Sequence, residues 1–133
     1  MALVKWTDAD LLGHEKIDGQ HEALAMALNG LHELVLAGAD AKRFDDALEE
    51  LLGLLREHFE TESELMVASN YPDIAVHLDE HTTYLARIND LRKVSAHAEA
   101  SSIAETFFLL RDWFVAHTRK DDRAMASHLK AVG

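Results

Sequence analysis

The chain contains no cysteine and a single proline among its 133 residues. Without cysteine it cannot form disulfides, iron–sulfur clusters, thiolate-ligated haem or the C-x-x-C-H haem attachment. One proline and six glycines favour long uninterrupted helices over a turn-rich β fold. No stretch approaches the roughly 20 apolar residues that a membrane helix needs, so we expect no membrane insertion.

Basic residues are scarce as well, with 13 Lys and Arg against 24 Asp and Glu and a net charge of −11. Such a surface repels phosphate backbones, which argues against nucleic-acid binding. The acidity also predicts a soluble monomer. The first residues show no targeting segment, so we expect a cytoplasmic protein. The length suits one domain over residues 1–133, and an apolar fraction of 48% is enough for one core.

Hydrophobic periodicity predicts an all-α fold, an antiparallel up-down-up-down four-helix bundle with an extended N-terminal arm. The predicted arm covers residues 1–17 and is anchored by Trp6. Asp18 is the predicted N-cap of the first helix, and Gly38 is its predicted stop. Two further helices are predicted at about 41–68 and 74–95.

The ends of the third and fourth helices have their own signals. Asp73 after Pro72 is the predicted N-cap of the third helix, and a polar loop is predicted at 96–101. Ser102 and Glu105 resemble a capping box for the fourth helix. This helix is expected to continue, or to restart, through Met125 and Leu129.

Histidines and acids fall on the apolar stripe of every predicted helix and should therefore point into the bundle. The clusters are His21; His58 and Glu62; His77 and His81; and His117 with Asp121 and Asp122. On a helix, residues four apart lie one above the other, so each pair can reach the same region. Imidazole nitrogens and carboxylates are the donors that iron, zinc and manganese accept. Five histidines and two acids, Glu62 and one of the two aspartates, are too many for one ion and suit two.

Each signal alone is weak. With nine histidines in the chain, about half of one H-x-x-x-H pair is expected by chance. A single buried histidine is more often a hydrogen-bonded core residue than a metal donor. The strength of the prediction lies in the combination of one donor cluster per helix. Four histidines fall outside the set, namely His14, His32, His97 and His128. His97 is expected to be solvated in its loop.

The acid that accompanies His117 is ambiguous. In a regular α-helix Asp121 shares the face of His117, whereas Asp122 is rotated away by about 100°. Periodicity alone therefore favours Asp121. Asp122 could take part only through a local π-bulge or by reaching across to bridge two metals.

The residues described so far resemble the hemerythrins, specifically the single-domain bacterial ones. The resemblance spans nearly the whole chain. It rests on Trp6 and Gly13, I-D-x-Q-H at 17–21, H-F-x-x-E at 58–62, Met66, Y-P at 71–72, H-x-x-x-H at 77–81, W-x-x-x-H at 113–117, and Asp122.

The resemblance implies a non-haem di-iron centre that reversibly binds dioxygen. It implies that His77, His81 and His117 hold one iron, while His21 and His58 hold the other and leave a position open. Glu62 and Asp122 would bridge the two irons beside an oxo or hydroxo bridge, which selects Asp122 over Asp121. Oxygen would be held as a hydroperoxide at the open iron. Hard oxygen bridges suit ferric iron, and imidazoles suit both oxidation states.

A dry pocket should surround the open position. The predicted walls, which can equally be ordinary core, are Leu24, Phe59, Trp113, Phe114 and Thr118. Two positions depart from the family pattern. Thr118 stands where an aliphatic residue is usual, and Ser63 where a second Glu is frequent. A Thr118 hydroxyl facing the pocket would be expected to speed autoxidation.

Alternatives of other classes fit less well. A ferritin-like di-iron oxidase would need E-x-x-H motifs, a zinc hydrolase would need H-E-x-x-H, and both are absent. A haem bundle would leave the carboxylates unexplained. Within the hemerythrin interpretation the open roles are oxygen carriage or storage, delivery to an oxygen-using enzyme, oxygen or redox sensing, and handling of nitric oxide or peroxide. The absence of a fused signalling domain and of an extra acid–base group favours a carrier over a sensor or an enzyme.

Overall fold

The computed structural model describes residues 3–91 and 100–132, most of which are helical. The helices are α1 (Glu15–Leu36), α2 (Ala41–Ser69), α3 (Ile74–Asn89), α4 (Ala100–Ala116) and α5 (Arg123–Val132). A short 3-10 helix (Asp8–Asp10) precedes them, and a π-helical segment (His117–Asp122) joins α4 to α5 without a break. The described ranges contain no strand, and the predicted all-α four-helix bundle is confirmed.

The first helix begins earlier than predicted. Asp18 is not its N-cap, because α1 starts at Glu15 and the ring of His14 accepts the backbone N–H of Ile17. The Asp18 carboxylate instead reaches back from the first turn and accepts the N–H groups of Leu12 at 2.7 Å and Gly13 at 3.0 Å. A carboxylate at this end of a helix is favoured by the helix dipole. Asp18 therefore fixes the chain that enters the helix. Because α1 begins at Glu15, the predicted arm is three residues shorter.

The connection between α1 and α2 follows the sequence signals. Gly38 adopts a positive φ of 71°, and the N–H of Ala39 donates to the carbonyl of Leu34, as in a glycine-terminated helix. Asp40 then caps α2 by accepting the N–H of Arg43 at 2.9 Å. At the other end Asn70 takes the left-handed conformation and closes the helix. The predicted second helix is confirmed to within one residue.

The third and fourth helices differ from their predicted limits. Asp73 lies at the N-cap of α3 but makes no side-chain capping bond, and α3 ends at Asn89 rather than near residue 95. The part of the predicted helix and loop at 92–99, with His97, lies outside the described residues. Ala100 and Ser101, predicted as loop, are helical, and Ser102 lies inside α4 rather than at its N-cap.

A polar layer divides the apolar core. The larger cluster of buried side chains includes Leu24, Leu55, Tyr84 and Phe114, and the smaller one includes Ile17, Met66, Tyr71 and Met125. In every helix the predicted donors fall between a residue of one cluster and a residue of the other. The order of the two clusters reverses from each helix to the next, as it would in an antiparallel bundle. The up-down-up-down order and the extended arm stay predictions.

Within residues 3–91 and 100–132, no helix is long and apolar enough to cross a membrane.

Candidate metal centre

All seven predicted donors meet in the polar layer between the two apolar clusters. His21, Glu62 and Asp122 have no exposed surface, and the four other histidines are at most 3% exposed. Their donor atoms form two groups, and within each group the atoms lie within 4.8 Å of one another. The structure therefore brings together every residue that the sequence singled out as a donor.

The first group contains three histidines from two helices. The Nε2 atoms of His77 and His81 lie 3.2 and 2.9 Å from Glu62 Oε1. Nε2 of His77 also lies 2.9 Å from Asp122 Oδ1, and Nε2 of His117 lies 3.1 Å from the same oxygen. Three imidazoles thus face one oxygen from each of the two carboxylates.

The second group contains two histidines and the remaining carboxylate oxygens. His58 Nε2 lies 3.2 Å from Glu62 Oε2, and His21 Nε2 lies 2.9 Å from Asp122 Oδ2 and 3.9 Å from Glu62 Oε2. Each carboxylate therefore directs Oε1 or Oδ1 to the first group and Oε2 or Oδ2 to the second. This division of oxygens is the arrangement by which a carboxylate can bridge two cations.

The spacing of the donors fits cations rather than hydrogen bonds alone. A neutral imidazole carries one N–H, and His58 and His117 direct Nδ1 at outside acceptors, Gln20 and Glu80. Their Nε2 atoms then present lone pairs to carboxylate oxygens, which is unfavourable unless a cation or a second proton lies between. Donors about 2.1 Å from an octahedral cation stand about 3.0 Å from their neighbours, and that matches the separations seen here.

Several donor atoms are also buried without a hydrogen-bond partner among the described residues. They are Glu62 Oε2, Nδ1 and Nε2 of His81, His117 Nε2 and Asp122 Oδ1. Leaving a buried polar atom unsatisfied costs about 1–3 kcal/mol, and more for a charged group. All of these atoms except His81 Nδ1 belong to the two donor groups. They are the atoms that metal binding would satisfy.

The charges of the site depend on each other. Burial alone would raise the pKa of Asp122, but close contacts with His117, His21 and His77 hold it well below its usual range. Glu62 behaves in the same way, since contacts from three histidines outweigh burial and the charge of Asp122 and lower its pKa. Both carboxylates are therefore ionised at neutral pH.

The histidines of the first group respond in opposite directions. Burial disfavours the charged imidazole of His77, but Asp122 and Glu62 raise its pKa to about 10. Burial lowers the pKa of His81. In the absence of a metal, the proton on His77 thus stands in for a cation between the two carboxylates.

The π-helical segment decides between the two candidate acids. Because its hydrogen bonds run from residue i to i+5, residues five apart share a face, and Asp122 turns inward with His117. Asp121 faces outward, is 34% exposed, and lies 3.2 Å from the other ring nitrogen of His117. The plain-helix expectation for Asp121 is wrong because the helix widens by one residue here.

Two residues that contact the donors from outside were not predicted. Gln20 Oε1 lies 2.7 Å from His58 Nδ1, and Glu80 Oε2 lies 2.9 Å from His117 Nδ1. Such outer partners fix the orientation and the tautomer of a histidine that faces a metal. Each contact joins two helical segments. The paired residues are 38 positions apart for Gln20 and His58, and 37 apart for Glu80 and His117. No local spacing rule could have found either residue, although both directly precede a predicted donor.

Aromatic and aliphatic side chains surround the donors on the side of the larger cluster. Phe59 stacks on His81 with ring centroids 3.8 Å apart, and Trp113 stacks on His117 at 4.5 Å. Phe114 meets the edge of His21 at 6.3 Å, and Leu24 is buried nearby in the same cluster. Trp6, the predicted anchor of the arm, lies edge-on to His21 at 5.7 Å. An apolar wall therefore adjoins the two-histidine group.

Thr118 is buried in this region, but its hydroxyl does not require a partner in the pocket. The hydroxyl donates to the carbonyl of Phe114 at 2.9 Å and to that of Val115 at 3.2 Å. This bonding within the helix is typical of a buried threonine. The physical reason for expecting faster autoxidation from Thr118 is thereby weakened, because its proton is already engaged.

Three described histidines outside the predicted set make contacts away from the donors. His14 caps α1, and His128 Nε2 contacts the carbonyl of Ser69 at 2.9 Å. The ring of His32 packs on Phe107 with centroids 5.1 Å apart. None of these three belongs to either donor group.

Comparisons with known proteins find similarity to one family. A family model described as the Hemerythrin HHE cation binding domain matches residues 12–129. A bacteriohemerythrin of Stenotrophomonas maltophilia is 31% identical over 98% of this chain and 84% of its own length. A bacteriohemerythrin of Methylococcus capsulatus is 30% identical over 98% of this chain and 100% of its own. A myohemerythrin of Theromyzon tessulatum is 25% identical over 89% of this chain and 87% of its own.

Proposed function

The chain belongs to the hemerythrin family, and on that premise we propose that it is a non-haem di-iron protein that reversibly binds dioxygen. The observation that carries the proposal is the division of oxygens between the two groups. Glu62 and Asp122 each offer one oxygen to a group of three histidines and the other to a group of two. Two cations held by shared carboxylates account for both groups at once.

The two groups would differ in how full they are. His77, His81 and His117 with two carboxylate oxygens give one iron five donors, whereas His21 and His58 with the other two oxygens give the second iron four. An oxo or hydroxo bridge between the irons would complete six positions at the first and leave one open at the second. When bound, the iron pair supplies two electrons and an open coordination position for dioxygen.

The surrounding residues support reversible binding over turnover. Phe59, Phe114 and Leu24 are buried apolar side chains beside the donors. They would exclude the water that could protonate bound oxygen and cause its loss. The Thr118 hydroxyl is engaged by the helix backbone and would not act as a proton source. For these reasons we assign no enzymatic role.

Carriage, storage or delivery of oxygen, including delivery to an oxygen-using enzyme, is the role we propose. The alternative is an oxygen or redox sensor, or a di-iron enzyme acting on nitric oxide or peroxide. A monomeric state, a cytoplasmic location and a single domain over residues 1–133 remain predictions of the sequence.

An optical experiment tests the proposal. The iron-loaded protein is reduced, its visible spectrum is recorded under argon, in air and again under argon, and the cycle is repeated. Reversible oxygen binding predicts a colourless reduced form, a coloured form in air and its recovery over several cycles. Immediate oxidation without a reversible adduct would favour the sensor or enzyme alternative.

A further inference from the structure

We infer that Gln20 is a positioning residue for the metal centre, since its amide oxygen holds the His58 ring in the Nδ1–H tautomer with Nε2 facing the metal. The inference rests on the proposed function, because it assigns a task at the same site. Gln20 lies half-buried on α1, one position before His21, and contacts the second helix rather than the metal region itself.

A chain of hydrogen bonds fixes the direction of the Gln20 amide. The Thr61 hydroxyl donates to the carbonyl of Glu57 at 3.0 Å, so it must accept in its other contact. Gln20 Nε2 therefore donates to Thr61 Oγ1 at 3.0 Å. With its nitrogen engaged, the amide can offer only Oε1 to His58.

The direction of the amide sets the tautomer of His58. An amide oxygen only accepts, so the 2.7 Å contact requires an N–H on His58 Nδ1. A neutral imidazole has one N–H, which leaves a lone pair on Nε2, 3.2 Å from Glu62 Oε2. That lone pair is what a metal in the second group would use.

Gln20 is the one outside partner found for the second group among the described residues. His21, the other histidine of this group, has no hydrogen-bond partner at Nδ1 among the described residues. Within the part of the chain that the structure describes, His58 is the one histidine of this group with an outside partner, and that partner is a neutral amide. In the first group His117 has a carboxylate partner, Glu80, which makes a ring nitrogen a stronger donor. Because the second group has four donors and the first has five, we expect the iron held by His21 and His58 to be the more weakly bound one and the more sensitive to Gln20.

The test compares iron retention in variants of the full-length protein loaded with iron(II) under argon. Each is titrated with a colorimetric iron(II) chelator. Wild type is expected to hold two irons. Gln20→Leu should release one of them at a chelator concentration about 10–100-fold lower, the usual effect of losing an outer partner. Gln20→Glu should restore retention, because a carboxylate also accepts from Nδ1. Lys16→Leu, exposed and one turn earlier on α1, is the matched control and should behave as wild type.

A second readout reports the tautomer directly. Nitrogen chemical shifts of the His58 ring in the metal-free protein at pH 8 should show Nδ1–H in wild type and Gln20→Glu, and a shift towards Nε2–H in Gln20→Leu. Should Gln20→Leu not fold, Thr61→Val replaces it, since it removes the hydroxyl that orients the amide and should weaken the same iron. Wild-type retention and an unchanged tautomer in Gln20→Leu, or unchanged retention in Thr61→Val, would overturn the inference and leave the proposed function standing. Fewer than two irons in wild type would overturn both.

Discussion

At the residue scale, two buried carboxylates face five imidazoles in a layer that is otherwise closed to water. Glu62 and Asp122 have no exposed surface, and such groups stay ionised only when they are paired. The donor residue types and their helical spacing were predictable from sequence, because i,i+4 pairs on apolar stripes mark the interior of a bundle. The division of carboxylate oxygens and the contacts of Gln20 and Glu80 were not, since they depend on how the helices face one another.

The choice between Asp121 and Asp122 can be tested by substitution. Asp122→Ala should abolish binding of at least one iron, because it removes an oxygen from both donor groups. Asp121→Ala should leave the iron content unchanged, because Glu80 still accepts from His117 Nδ1. Metal analysis of the two purified variants measures this. Loss of iron in Asp121→Ala with retention in Asp122→Ala would reverse the assignment.

Thr118 gives a second test at this scale. Because its hydroxyl donates to the Phe114 carbonyl, Thr118→Val should not lengthen the lifetime of the oxygenated protein, and should cost at most about 1 kcal/mol of stability. The decay of the visible spectrum in air follows autoxidation, and Thr118→Ile serves as the larger apolar comparison. A clearly slower decay in both variants would mean that the hydroxyl does reach the bound oxygen.

At the element scale, the π-helical segment explains why helical periodicity favoured the wrong acid after His117. Periodicity predicted α2 to within one residue, and the structure shows Asp40 and Asn70 closing its two ends. The predicted cap misplaced the start of α1, since Asp18 accepts from backbone N–H groups behind it rather than ahead. A π-bulge has no such local signature. Periodicity alone could say only that Asp122 would face inward if a π-bulge were present.

A matched deletion and insertion test the role of this segment. Deletion of the exposed Lys120 should restore regular α-helix and place Asp122 four residues after His117, still on the same face. Insertion of one alanine after Lys120 should make the interval six and turn the carboxylate away. We expect the deletion variant to retain iron and the insertion variant to lose it, as measured by metal analysis and helical circular dichroism. Equal iron content in the two folded variants would show that the register of this segment is unimportant.

At the scale of the whole molecule, the polar layer links folding to metal binding. The donors come from four stretches of the chain, between two apolar clusters, so two bound metals would together join α1, α2, α3 and the π-helical segment. Metal that binds only the folded state stabilises it by mass action. The class of fold and the donor set could both be predicted from the sequence, because both require the same four apolar helix faces to point inward.

His77→Ala tests that link. The variant should lose iron, and losing a metal present at about 100 times its Kd costs about 2.7 kcal/mol, or on the order of 10 °C in Tm. Thermal unfolding followed by circular dichroism measures the shift. In chelator-treated samples the difference between variant and wild type should shrink. An unchanged iron content in His77→Ala would refute the assignment of this residue.

The pH dependence of stability should also differ between the two states. The pKa of His77 in the folded metal-free protein is raised from 6.5 to about 10. The contribution of His77 to the free energy of unfolding is therefore fully present below pH 6.5 and is lost as the pH rises through about 10. Denaturant unfolding between pH 7 and 9 should show a falling free energy for the metal-free protein and a flatter profile for the iron-loaded one, in which metal replaces the proton. Parallel profiles would contradict this account of the site.

The most direct test of the central claim is a crystal structure of the iron-loaded protein with anomalous data at the iron absorption edge. We predict two iron peaks, one contacted by His77, His81 and His117 and the other by His21 and His58, with Glu62 and Asp122 contacting both. A single peak, or a pair in which Asp121 replaces Asp122, would contradict it.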